Sequence, residues 1–104
     1  MTKIKFFADG KGLCGFEISG HSSVSCDDEI GKIVCSAVSS AAYMTANTIT
    51  DIVGDNAAAV VEDGFMSFSV NNPSDATYKI LDGFKLHIKS LADEYTNNIR
   101  ITEV

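Results

Sequence analysis

The chain has 104 residues, of which 45% are hydrophobic and 21% charged, with a single proline. That excludes a disordered tail, a proline-rich ligand and a two-domain enzyme, and leaves one domain, residues 1–104, with enough apolar side chains to build a core. Eight Lys and Arg against fourteen Asp and Glu give a net charge of -6, which argues against direct nucleic-acid binding and suits either simple solubility or a basic protein partner.

Residues 3–8 alternate, with Ile4, Phe6 and Ala8 on one face, and predict a half-buried strand. Asp9-Gly10-Lys11-Gly12 is a turn signal, because glycine tolerates positive φ. Residues 13–19 alternate again and set Cys14, Phe16 and Ile18 opposite Gly15, Glu17 and Ser19, so the two runs form a β-hairpin. Gly20 ends the second strand, and 21–29 is a polar loop. From about Ile30 the period becomes helical: Ile30, Val34, Ala37, Val38, Ala41, Thr45 and Ile49 gather on one face. Asp27, Asp28 and Glu29 precede that run, where a helix start favours negative charge, and Gly54 is its expected stop.

Residues 57–62 are ambiguous by propensity, but Asp63-Gly64 and the alternation of Met66, Phe68 and Val70 predict a second hairpin. Residues 71–74 form a loop, and Ser74 is the expected N-cap of a second helix. That helix carries an apolar stripe of Leu81, Phe84, Ile88, Leu91 and Tyr95. Residues 98–103 alternate once more, with Ile99 and Ile101 on one face of a last strand. The order is β-β-α-β-β-α-β, and the hairpins make the class α+β: one mostly antiparallel sheet packed against two helices.

The three cysteines are Cys14, Cys26 and Cys35. An odd count, with no apolar leader at the N-terminus, predicts free thiols in a reducing, cytoplasmic compartment. No run reaches the roughly 18 apolar residues needed to cross a bilayer, so no membrane association is expected. Cys14 alternates with core residues, and Cys26 falls in the polar loop. Cys35 lies in the first two turns of the first helix, at the edge of its apolar arc, and His21 follows the second strand. A strand end feeding a helix start can bring these two together as a nucleophile and its base. Spacing alone favours a packing cysteine and a surface histidine over such a pair. His87 reads as a partly packed helix residue. Cys14, Cys26, Cys35 and His21 lack the close ligand pairs of a structural zinc site. The glycines Gly10, Gly12 and Gly15 open a strand rather than a phosphate-binding helix. No metal and no cofactor is expected.

Gly20-His21-Ser22, followed by Ile33-Val34-Cys35-Ser36-Ala37-Val38-Ser39, resembles the signature of the ribosomal-processing cysteine protease family, Prp. The resemblance extends over the whole chain through its length and element order. It implies a cytoplasmic, homodimeric cysteine endopeptidase, whose partner is the precursor of a basic large-subunit ribosomal protein, L twenty-seven, from which a short N-terminal extension is removed. By position, Cys35 resembles the family nucleophile, His21 its general base and Ser39 a supporting serine near the site. Lys32 stands where the family usually has an aspartate, and the segment from His21 to Cys35 is longer than usual. That departure keeps a second reading in view, a dimeric assembly factor that binds the same ribosomal protein without cutting it. A third is a redox sensor using Cys26 or Cys35.

Overall fold

Two strands, β1 (Thr2–Ala8) and β2 (Leu13–Ser19), form the opening hairpin. The structure, a computed structural model, describes residues 1–20 and 29–103. After β2 come α1 (Glu29–Asn47), a π-helical segment (Thr48–Val53), the hairpin β3 (Ala57–Glu62) and β4 (Phe65–Val70), α2 (Asp75–Glu94) and β5 (Ile99–Glu103). The five strands form one sheet in the order β3-β4-β2-β1-β5. All neighbours are antiparallel except β1 and β5, which run parallel because α2 carries the chain back along the sheet before β5 begins. The α+β class and the element order expected from periodicity are both found.

Alternation along the strands decides which face is covered. Thr2, Ile4 and Phe6 of β1 and Phe16 and Ile18 of β2 point to the helices, as do Met66, Phe68 and Val70 of β4, and all are buried. Lys3, Lys5, Glu17, Ser19 and Thr102 line a polar depression on the sheet. From above, α1 contributes Val34, Val38 and Ala42, and α2 contributes Leu81, Phe84 and Ile88. Phe16 sits at the centre, its ring 4.6 Å from Phe84 and 5.5 Å from Phe68. Gly15 has to be glycine, since a side chain there would overlap the Phe68 carbonyl across the β2–β4 ladder.

Four expectations change. The hairpin register shifts between Phe7 and Ala8, so Leu13 is buried while Cys14 is displaced to a half-buried position and Ala8 is exposed. Ile30 is exposed, because an i, i+4 row precesses by about 40° per step and the row through Val34, Val38, Ala42 and Ala46 leaves Ile30 off its edge. The first helix does not stay α-helical to Gly54. The hydroxyls of Thr45, Thr48 and Thr50 bond back to the carbonyls of Ala41, Met44 and Ala46, and the last turns widen into the π-helical segment. Gly54, at φ 88°, closes it by donating to Ile49. His87 is exposed rather than partly packed. The second helix follows expectation: Ser74 caps it, Leu81, Phe84 and Ile88 are buried, and Leu91 and Tyr95 pack at the margin of the core.

Candidate functional site

Cys35 is the seventh residue of α1, on the side that descends toward the start of β1. Its Sγ lies 3.8 Å from Thr2 Oγ1, a contact between residues 33 apart in sequence. Thr2 is on the buried parity of β1 and is only 2% exposed. Its backbone N–H donates to the Asn98 carbonyl at 2.8 Å, which pins it between β2 and the entry to β5. Side chains on a helix lean toward its N-terminus, so the thiol side chain of Cys35 lies over the turn that contains Gly31 and Lys32. Gly31, with no side chain, leaves that turn low on the thiol side.

The second strand ends at the same place. Lys3 pairs with Ser19, so the next residues outward are Thr2 and Gly20. Gly20 has φ 76°, and a side chain on it would overlap the Met1 carbonyl oxygen. Its N–H donates to the Gly64 carbonyl at 3.1 Å. The strand is therefore held against β1 and the β3–β4 turn up to the residue that precedes His21. His21, Cys26, Asp27 and Asp28 lie outside the described residues. What is defined is their point of departure, Gly20, beside the Thr2 that touches Cys35. Ser39 follows Cys35 by one turn and is half-buried.

The thiols differ in state. Cys14 is free, and burial first and the Asp9 charge second push its pKa up, so it is a poor nucleophile at neutral pH. Cys35 is disulfide-bonded. This corrects the expectation of three free thiols. Reduction is required before Cys35 can attack anything.

The opposite end of the sheet is built from carboxylates. Asp9 accepts from Tyr78 Oη at 2.6 Å and from the N–H groups of Lys11 and Gly12. Those bonds, the tyrosine first, hold the Asp9 carboxyl below its ordinary pKa, and in return push Tyr78 up to about 12. Asp55 accepts from Ser74 N–H and Oγ at 2.9 Å and from Thr77 Oγ1 at 2.6 Å, which lowers its pKa too, the Ser74 amide most. These groups fasten α2 to the sheet and have no part near Cys35. Among the described residues, no group of three or more His, Cys, Asp or Glu side chains is placed to hold a metal ion. No helix among them is long and apolar enough to cross a membrane.

Fold and site together define a class: a single sheet backed on one face by two helices, with a helix cysteine over the sheet end where β2 runs into a histidine-bearing segment. The chain belongs to the cysteine protease Prp family, whose model matches residues 1–100. It is a cysteine protease. Its backbone is similar to that of the ribosomal processing protease Prp from S. aureus in complex with a substrate peptide, at a TM-score of 0.91 and 16% identity over 100% of both chains. The same S. aureus protease with a covalently linked product peptide gives 0.86 and 19%, again over 100% of both chains. The protein SMU.848 from Streptococcus mutans gives 0.86 and 24%, covering 100% of this chain and 97% of that one. No curated protein matches.

Sequence reasoning singled out Cys35, His21 and Ser39 but missed Thr2. The signal was available: Thr2 shares the parity of Ile4 and Phe6, and a hydroxyl on the buried parity of a strand needs a partner.

Proposed function

We propose that this protein is an endopeptidase that removes the N-terminal extension of ribosomal protein L twenty-seven, with Cys35 as nucleophile and His21 as general acid and base. The observation that carries the reading is the meeting of Cys35 with the strand end that leads into His21, within a chain whose family cleaves peptides. The Cys35 thiolate attacks the scissile carbonyl; a C–S bond forms, the C–N bond breaks, and His21 delivers a proton to the departing amine. Water then attacks the thioester, His21 takes its proton, and the C–S bond breaks to return the thiolate and a carboxylate product. Ser39, one turn beyond Cys35, supports the site from the same side of α1.

The net charge of -6 suits a basic ribosomal substrate. A homodimer is supported by apolar side chains left in solvent, among them Met44 and Leu86. Met44 lines an apolar groove of about 680 Å³ between α1 and α2, together with Ile80, Phe84 and His87. A cytoplasmic location suits this reading, because a reducing compartment keeps thiols reduced. The test is to incubate the reduced protein with the extended precursor and weigh the products. Two fragments that sum to the precursor plus one water establish hydrolysis. A stable complex with intact precursor establishes the assembly-factor reading instead.

A further inference from the structure

We infer that Thr2 is a positioning residue for the nucleophile: its hydroxyl donates to the Cys35 sulfur, holds the side chain in one orientation and favours its thiolate. This rests on the reading of Cys35 as the nucleophile. Three observations carry it. The Thr2 side chain is 2% exposed, so its hydroxyl is removed from solvent and needs a partner inside the protein. The partner present is Cys35 Sγ at 3.8 Å, within the range for a hydrogen bond to sulfur. Thr2 itself is fixed along its β5 side, by its N–H on the Asn98 carbonyl and by its pairing with Ile99, so the donor is held by the sheet and not by the helix it serves.

The position of Cys35 makes such a donor useful. The favourable field of a helix N-terminus fades beyond the first turn, and Cys35 is the seventh residue of α1, so the helix start alone does little for a thiolate there. Lys32, one turn earlier, brings a positive charge in place of a carboxylate, but it is exposed and its charge is screened. A hydroxyl shielded from water suffers no such screening, and a hydrogen bond to an anionic sulfur is stronger than one to a neutral thiol. A sulfur in a disulfide has no proton to give, so in the bonded state Thr2 is the donor, and on reduction the same O–H is on hand for the thiolate.

The experiment measures how fast Cys35 reacts with iodoacetamide as pH is varied. The protein is reduced first, and the Cys35-containing fragment is quantified by mass, so that Cys14 and Cys26 do not contribute. Thr2→Val keeps the shape without the hydroxyl, Thr2→Ala removes it independently should valine fold poorly, and Thr2→Ser restores it. The valine and alanine variants are expected to alkylate about threefold to tenfold more slowly at neutral pH, with the pH profile moved to the alkaline side, and serine is expected to return the profile toward wild type. A wild-type profile in both Thr2→Val and Thr2→Ala overturns the assignment. Precursor cleavage by Cys35→Ala is run in parallel: retained cleavage there overturns the nucleophile reading itself, whereas its loss beside unchanged Thr2 profiles overturns only the role of Thr2.

Discussion

The two ends of the sheet are held by different chemistry. At the turn end, two carboxylates collect six hydrogen bonds, three on Asp9 and three on Asp55, at 2.6 to 3.2 Å. At the thiol end, a single hydroxyl meets a sulfur at 3.8 Å, and a glycine at positive φ lets β2 leave against the Met1 carbonyl. The first arrangement fixes α2 through strong, short bonds to charged acceptors. The second brings a neutral hydroxyl to a half-buried sulfur across a longer and weaker contact. The short bonds to charged acceptors lie away from the proposed chemistry.

The largest effect that tests this contrast is redox. Protein with Cys35 oxidised is expected to cleave no precursor, and dithiothreitol is expected to restore cleavage, read as product mass over time; activity in the oxidised form would contradict a thiolate at that end. Next is Gly20→Ala, which forces a side chain into positive φ and against the Met1 carbonyl. A loss of about 3 kcal/mol in urea unfolding is expected, together with loss of cleavage, since the strand end leading to His21 is displaced. At the turn end, Thr77→Val takes the closest donor from half-buried Asp55 and is expected to cost about 2 kcal/mol by the same measurement, with cleavage retained under conditions where the protein is folded. Ser74→Ala removes the helix cap and one Asp55 partner for about 1 kcal/mol. Equal effects of the two turn-end changes on the catalytic rate and on stability would erase the distinction between the ends.

The smallest effects are those of pH on folding. Asp9 and Asp55 are held below the ordinary carboxylate value, so their contribution is present above the unfolded-state value near 3.8 and is lost as pH falls through the lowered folded values. Tyr78 is raised from 10.0 to about 12, so its contribution is present below 10.0 and is lost as pH rises toward 12. Thermal melting followed across pH is expected to weaken at both extremes, and Tyr78→Phe is expected to remove the alkaline arm.

Much of this architecture was legible in the residues. Alternation in Ile4 and Phe6, the Asp63-Gly64 turn and the Ser74 cap are local signals, and local physics decides them. The position of Cys14 was not legible, because a bulge between paired strands shifts parity and depends on the partner strand. The π-helical segment depends on threonine hydroxyls choosing backbone carbonyls over solvent. The pairing of β5 alongside β1 is a long-range choice that alternation leaves open. At the site, the residues of the family signature pointed to Cys35 and His21, but Thr2 is distant in sequence and joins the site only through the fold. The carboxylate clusters were illegible for the same reason: Asp9 meets Tyr78 across 69 residues.

The proposed chemistry depends most on Cys35. The direct measurement is the rate of precursor cleavage by reduced Cys35→Ala beside reduced wild type, followed by intact mass. With Cys35 as nucleophile, a loss of at least about a thousandfold is expected, with the precursor left whole. Cleavage by the variant at the wild-type rate would contradict it.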